Sequence, residues 1–451
     1  MRHEIELKRV LSAWDLFFMG IGAIIGTGIF VLTGIAAANQ AGPAVVVSFI
    51  VAGLAAGFAA FAYAELAGML GGSGSAYGYA KTAFGDMVGW LIGWVLILEY
   101  GVAVAAVSTG WSGYFNNGLQ AIGLGLPVEL IAPPASGGWI NLPASLIILT
   151  LMGLLLVGAK EGARLNAVMV FVKLLSIAVF LIVGVGFVNL DNWSPFAPFG
   201  WFGEGADGKP VGILAAASLV FFAYVGFDAV STATEEAKDP QRDVPKGLLW
   251  ALAACSIIYI AVASVLTGMV SFTELNVPSP VAHALQLVGL NWASALVATG
   301  AIAGLTTVML VLYYGLTRII YAMSRDGHLP LTLSLVSERY QTPSVAIVIS
   351  GVLIALMAGF MPLSSLAELV NAGTLSAFVL VCLAVVVLRR SQPDRHRPFI
   401  IPGGVTIPLL GIVFCGGLMA FLPAETWWRF GMWVLLGAFI FAVYARKLKA
   451  E

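Results

Sequence analysis

Long apolar runs follow one another along almost the whole chain, separated by short segments rich in charge, proline or glycine. Each run has about twenty residues, enough for a helix to cross a hydrocarbon core of roughly 30 Å. The runs predict twelve spans, centred near residues 27, 55, 100, 150, 175, 224, 258, 308, 352, 377, 414 and 435. We therefore expect an all-α, polytopic membrane protein.

The first span contains four glycines and a threonine within residues 20–30. Glycine interrupts a helix at little cost, so we expect a break near 24–28, with Gly22 and Gly26 as break residues. If a second half-helix starts near Thr27, its free amides and positive dipole end suit an anionic group such as a carboxylate. The alternative is that these glycines serve close helix packing.

A second interruption occurs five spans later, where residues 221–232 again combine glycine and polar residues at mid-span. We expect this break near 225–228, with Gly226 and Asp228 as structural residues. Asp228 has two interpretations, and capping of the second half-helix is favoured over direct substrate contact because aspartate is a good N-cap.

Interrupted helices at corresponding positions of two five-span halves are typical of an inverted repeat with a binding site at its interface. The first repeat would cover residues 1–189 (helices 1–5) and the second residues 211–390 (helices 6–10). The last two helices, within residues 405–445, would lie outside the repeat.

Charge predicts the orientation. Of 451 residues, 60% are hydrophobic and 10% charged, and 19 of the 22 lysines and arginines fall on the side that holds the N-terminus. The other side has only Lys209 and Arg429, and Lys173 lies inside a span. The positive-inside rule then places both termini in the cytoplasm of a multi-pass cell-membrane protein.

Composition also excludes several classes of function. The formal net charge of −1 indicates no nucleic-acid partner, and the three cysteines have neither pairing nor metal spacing. The sequence has no His-Glu-x-x-His or Gly-x-Ser-x-Gly motif, so we expect no enzyme, no metal and no cofactor. A channel would need a polar lining along several spans, whereas polarity here concentrates at one depth.

Two charged residues inside spans are candidates for proton coupling. Lys173 has no acidic neighbour within a helical turn and lies about 13 Å deeper than Arg164, too far to snorkel easily. A lysine there should be neutral or face a polar cavity, and it can take and release a proton. Glu99, near the middle of the third span, is either a second such group or a structural polar contact.

Four motifs carry a resemblance to a known family: residues 20–30, 221–232, 235–242 and 324–327. In this order they resemble the amino acid–polyamine–organocation superfamily, and most of all bacterial members of the cationic amino acid transporter family. The resemblance implies the leucine-transporter fold and alternating access driven by a proton gradient or by exchange. It also implies that Lys173 bridges the first and eighth helices and responds to protonation.

The two breaks offer complementary groups to a zwitterion, and the resemblance implies the same allocation. The carboxylate would meet the amides of Thr27 and Gly28, with Ile24 nearby. The ammonium would meet the carbonyls of Phe222, Ala223 and Val225. Phe222 is either a lid that closes the outward path or a packing aromatic.

Selectivity should come from the third, sixth and eighth spans. Their candidate surfaces offer no carboxylate except Glu99, and they comprise Val102, Ala103, Ala106, Thr306, Thr307, Met309, Leu310 and Leu312. A cationic side chain would need a counter-charge. We therefore expect proton-coupled symport of small neutral amino acids such as alanine, with an obligate exchanger or a cationic amino acid transporter as alternatives. Membrane lipid and the amino acid are the expected partners.

Overall fold

The computed structural model describes residues 11–70, 76–158, 163–206, 208–232, 237–325, 327–337 and 339–448. These residues are mostly helical. The α-helices are α1 Ala13–Ile24, α2 Thr33–Ala36, α3 Val45–Leu70, α4 Ala76–Phe84, α5 Asp86–Ala121, α6 Val128–Ile131, α7 Leu142–Leu156, α8 Ala163–Gly184, α9 Ile213–Val220, α10 Ala229–Thr232, α11 Pro240–Met269, α12 Pro280–Leu287, α13 Asn291–Arg325, α14 Ser344–Phe360, α15 Leu363–Ser391, α16 Thr406–Ala420 and α17 Ala424–Leu448. Two short strands, β1 Gly203–Glu204 and β2 Pro210–Val211, pair in antiparallel fashion in the loop before α9.

Seven stretches among the described residues are long and apolar enough to cross a membrane, and five shorter apolar helices accompany them. Such a set agrees with the predicted all-α polytopic membrane protein. The count of twelve spans, the inverted repeat and the orientation of the termini stay predictions. Parts of the motifs behind the resemblance, Glu235, Glu236 and Asp326, lie outside the described residues, as do residues 1–10 of the first repeat.

The first break follows a well-capped helix. Ser12 and Asp15 form a capping box at the start of α1, in which the Ser12 amide donates to Asp15 Oδ2 at 2.8 Å. The helix ends at Ile24, and Ile25 is extended, with φ −73° and ψ 104°. The chain becomes helical again as a π-helix over Gly28–Leu32, so the interruption lies within 24–28.

The second break follows α9, which tightens into a 3₁₀ turn over Phe221–Tyr224 before the chain leaves the helix. Gly226 has φ +108°, a conformation that L side chains rarely adopt. A Cβ at Gly226 would lie only 2.9 Å from the Ala23 carbonyl oxygen, so the glycine also lets the two breaks touch. The short helix α10 begins directly after Asp228.

Long helices surround the two breaks. The helix α5 packs against α13 and α15, whereas α11 packs against α1 and α3. At the first break, a Cβ at Gly26 would contact Val308 of α13 at 3.9 Å. Both interrupted helices are therefore enclosed by continuous ones, which can hold an irregular backbone at membrane depth.

Candidate substrate site between the two broken helices

Lys173 reaches the first break from α8. Its side chain is 0% exposed, and Nζ donates to the carbonyl oxygens of Gly22 at 2.9 Å and Ile25 at 2.7 Å. Because α1 ends at Ile24, carbonyls of its last turn lose their usual backbone donors. The amine of Lys173 supplies replacements, so its bonds depend on the break itself.

The stem of Lys173 lies between two helices. A Cβ at Gly304 of α13 would be 2.7 Å from Lys173 Cε, so the bare backbone of α13 leaves room for the side chain. Lys173 therefore links α1, through its amine, with α13, through its packed stem. The structure thus brings the three helices named by the resemblance to one point, although the coupling role of Lys173 stays a prediction.

Tyr259 of α11 contacts both breaks at once. Its hydroxyl lies 3.0 Å from the Ile24 carbonyl oxygen and 2.8 Å from the Ala223 carbonyl oxygen. The hydroxyl has a single hydrogen, so it donates fully to only one of them at a time. Tyr259 therefore links the first broken helix to the second.

The carboxylate side of the predicted site is built around Thr27 and Gly28. Thr27 is fully buried, and its Oγ1 has no hydrogen-bond partner among the residues that the structure describes. Gly28 abuts Ala223 so closely that any Cβ at this position would overlap the Ala223 backbone. The amides expected to bind a carboxylate therefore lie directly beside the second break, with an unused hydroxyl between them and α5.

On the ammonium side of the predicted site, the Phe222 and Ala223 carbonyls already accept one hydrogen bond each. The Phe222 carbonyl accepts from the Val225 amide at 3.2 Å, and the Ala223 carbonyl faces Tyr259. Each carbonyl oxygen has a second lone pair, so both can still accept from an ammonium group. Phe222 itself is 6% exposed, and its ring is packed in this conformation.

The walls of the site are apolar and small. Gly110 of α5 faces Thr27, and a Cβ there would lie 2.7 Å from Thr27 Cγ2. The residues proposed for selectivity that are buried in α5 and α13 include Val102, Ala103, Ala106, Thr307, Met309 and Leu312. Glu99 lies eleven residues before Gly110 on the same helix, which is about 16 Å along the axis. It therefore lies about three helical turns along α5 from the Thr27 end of the site.

Glu99 instead lies near Asp228, the residue that ends the second break. It is 2% exposed, interacts electrostatically with Asp228, and lies near the Thr374 hydroxyl. Asp228 occupies the N-cap position of α10, and its backbone carbonyl accepts from the Ser231 amide at 2.9 Å. The two carboxyl groups named in the sequence analysis thus lie together in one buried cluster.

Comparison with known proteins decides the family. A family model described as amino acid permease matches residues 11–443, nearly the whole chain. The chain belongs to the amino acid permease family. The resemblance to the larger superfamily is thereby confirmed.

Curated relatives cover almost the full length of the permease. It is 48% identical over 449 residues to the branched-chain amino acid permease BcaP of Bacillus subtilis, covering 98% of this chain and 94% of the relative. It is 46% identical over 444 residues to the methylthioribose transporter of the same organism, with the same coverage. It is also 38% identical over 393 residues to the vacuolar cationic amino acid transporter 4 of Arabidopsis thaliana, covering 86% of this chain and 64% of the relative.

Two polar residues that bind backbone carbonyls of the broken helices are not among the predicted site residues. Tyr259 is the donor at both breaks, and Asn371 of α15 donates to the Ser218 and Leu219 carbonyls near the end of α9. Each is an uncharged polar residue in the middle of an apolar span, where a polar side chain needs a hydrogen-bond partner.

Tyr259→Phe should weaken substrate binding by about tenfold, because the hydroxyl that positions the Ile24 and Ala223 carbonyls is lost. Substrate affinity of the purified permease checks this. Tyr313→Phe is the matched control, since its hydroxyl also donates to a buried carbonyl, that of Ile347 at 2.6 Å, but outside the breaks. Equal losses in both variants would mean that Tyr259 acts only on general stability.

Proposed function

We propose that this permease imports a neutral L-amino acid with a small or medium aliphatic side chain, from alanine to the branched-chain amino acids, by proton-coupled symport. Alternating access would occur at the two breaks, in a cell membrane with both chain termini in the cytoplasm. The observation that supports this most directly is the pair of hydrogen bonds from Lys173 to Gly22 and Ile25.

The coupling argument starts from the buried amine. A protonated Lys173 donates charge-assisted hydrogen bonds to both carbonyls, which are roughly twice as strong as neutral ones. Loss of the proton weakens both bonds and frees the end of α1, since no backbone donor replaces the amine there. Binding and release of a proton would therefore change how firmly the first break is held.

Substrate binding acts on the same segment. A carboxylate at the amides of Thr27 and Gly28 would lie a few residues from the Lys173 contacts, and an ammonium at Phe222 and Ala223 would join the second break to the first. The ligand would thus tie together two half-helices whose positions also depend on Lys173. Proton and amino acid would then favour the same conformation, as symport requires.

The proposal of a substrate with a neutral side chain follows from the lack of a counter-charge near Thr27 among the described residues. A buried cationic side chain needs a counter-charge, and Glu99 is about 16 Å along α5 from Gly110, which faces Thr27. The similarity to a branched-chain amino acid permease supports an aliphatic substrate larger than alanine. A cationic substrate and obligate exchange without protons are the alternatives within this family.

A second candidate substrate is methylthioribose, favoured by the identity to a methylthioribose transporter. This thiosugar has neither a carboxylate nor an ammonium group. It would use the Thr27 hydroxyl and the free carbonyl lone pairs as partners for its hydroxyl groups, and its methylthio group would contact the apolar walls.

We expect alanine, valine, leucine or isoleucine to raise the apparent melting temperature of the purified permease, and arginine and lysine to leave it unchanged. A ligand that binds only the folded state stabilises it by about 2.7 kcal/mol at a hundred times its Kd. A thermal-shift panel of the twenty amino acids and methylthioribose provides the measurement. Stabilisation by arginine but not by neutral amino acids would contradict the proposal, and a shift with methylthioribose alone would favour the second candidate.

A matched pair of variants locates the binding site. Thr27→Val removes a buried hydroxyl without a described partner, so it should reduce the ligand-induced shift without lowering the stability of the unliganded protein. Thr150→Val removes an exposed hydroxyl of α7 that donates to Leu146 at 2.9 Å, and it should leave the ligand-induced shift unchanged.

A further inference from the structure

One face of α15 carries polar groups through an otherwise apolar span. Glu368, Asn371 and Thr374 recur every three residues, so they lie on one side of the helix and cover about 9 Å of its length. The helix begins at Leu363, at the end of the bundle that the charge count assigns to the outside of the cell. The series therefore runs inward from that end.

A small cavity lies beside the first of these residues. It has a volume of about 30 Å³, room for about one water molecule, and is lined in part by Gln40, Lys209, Ser218 and Glu368. Glu368 accepts a hydrogen bond from Thr426 Oγ1 at 2.9 Å, and the charged groups that act on its carboxyl are Lys209, Arg429 and Glu425. The cavity thus lies between the Glu368 carboxylate and Ser218 of α9.

The next polar groups along this face of α15, Asn371 and the neighbouring Ser218, have oxygen atoms without a hydrogen-bond partner in the described part of the chain. Asn371 Nδ2 donates to the Ser218 carbonyl at 2.7 Å and the Leu219 carbonyl at 3.0 Å, which engages both of its hydrogens. Asn371 Oδ1 and Ser218 Oγ are buried and have no hydrogen-bond partner within the described part of the chain. Buried polar atoms in this state are rare and usually indicate water that joins them.

The line ends at Glu99. A Cβ at Gly373 would lie 3.8 Å from Glu99 Cβ, so α15 packs directly on α5 at this depth. Thr374 lies beside Glu99, and its hydroxyl donates to the Val370 carbonyl at 3.1 Å. Glu99 Oε2 also lacks a described partner, and the ionisable groups that face it are Asp228, Tyr63 and Tyr100.

We propose that water molecules held along this face of α15 carry a proton from the outer cavity to Glu99. Glu368 takes a proton from bulk water and gives it to a water molecule at Ser218 and Asn371, and a proton passes from that water to the Glu99 carboxylate. Each step breaks one O–H bond and forms another, so Glu368 and the water are restored and Glu99 becomes neutral. This inference rests on the proposed proton coupling and adds Glu99 to it as a second group that takes up a proton.

The test uses the full chain in proteoliposomes that enclose a pH-sensitive dye. Ser218→Ala and Glu368→Gln should each lower substrate-driven proton entry by about tenfold. Exchange of labelled for unlabelled amino acid, which needs no net proton movement, should stay unchanged. Because Ser218 Oγ bonds no described protein group, its loss should not impair folding, and a merely structural role would leave proton entry unaltered.

Ser376→Ala is the control on the same helix, since its hydroxyl donates to the Ala372 carbonyl at 2.6 Å, away from this line. Unchanged proton entry in both test variants would overturn the route while leaving proton coupling intact. Wild-type permease that exchanges amino acid but never moves protons would overturn proton coupling itself.

Discussion

Lys173→Ala should abolish proton-driven accumulation of substrate, lowering it by about a hundredfold or more. Two hydrogen bonds from an amine to buried carbonyls are lost, and hydrogen bonds to charged groups contribute about 1.5–3 kcal/mol each. A loss of this size corresponds to at least two factors of ten in an equilibrium constant. Uptake into proteoliposomes with and without an imposed pH gradient measures the effect.

The Lys173→Ala experiment needs a second lysine variant as a control for the loss of a positive charge, and an assay that shows the variant is still folded. Lys81→Ala removes an exposed lysine that pairs with Asp86 at 3.4 Å, and it should leave uptake unchanged. Lys173→Ala should still bind substrate in a thermal-shift assay, because the amides of Thr27 and Gly28 remain. Uptake that keeps its pH dependence in Lys173→Ala would exclude this lysine as the coupling group and favour exchange as the mechanism.

The positions of the breaks could be predicted because glycine acts locally. The run at 20–30 and the pair Val225 and Gly226 are the segments where an interrupted helix is least costly, and no distant residue has to be known to see this. The burial of Lys173, which is 0% exposed, agrees with its predicted distance from the charged loop, while its depth in the membrane stays a prediction. These features depend on spacing within one span.

The partners across helices could not be predicted. Tyr259 meets a carbonyl 235 residues away, and Asn371 meets one 153 residues away. In a fully apolar helix, periodicity does not tell which side faces a neighbour, because lipid and protein interior are equally apolar. For the same reason the sequence indicated that Glu99 is buried but did not indicate that it lies beside Asp228 and Thr374.

Glu65→Ala should destabilise the folded permease by about 3–5 kcal/mol, because it leaves Arg389 and Arg397, which are only 17% and 11% exposed, without the carboxylate that they share. The Glu65 carboxylate is 1% exposed and accepts from Arg389 Nε at 2.8 Å, from Arg389 Nη2, and from the Ile401 amide at 2.9 Å. These bonds connect α3, α15 and the loop before α16 at the end of the bundle opposite Glu368. Denaturation of the purified protein in detergent, followed by tryptophan fluorescence, measures the loss.

Two further variants separate the ion pair from mere loss of charge. Asp86→Asn removes an acid of similar kind from an exposed pair with Lys81, and it should change the free energy of unfolding by at most about 1 kcal/mol. The double variant Glu65→Leu with Arg389→Leu should recover only part of the loss, because Arg397 Nε lies 3.6 Å from Glu65 Oε1 and also loses its counter-charge. A single variant as stable as wild type would mean that Arg389 reaches water when Glu65 is gone, and that the connection between α3 and α15 depends on apolar packing instead.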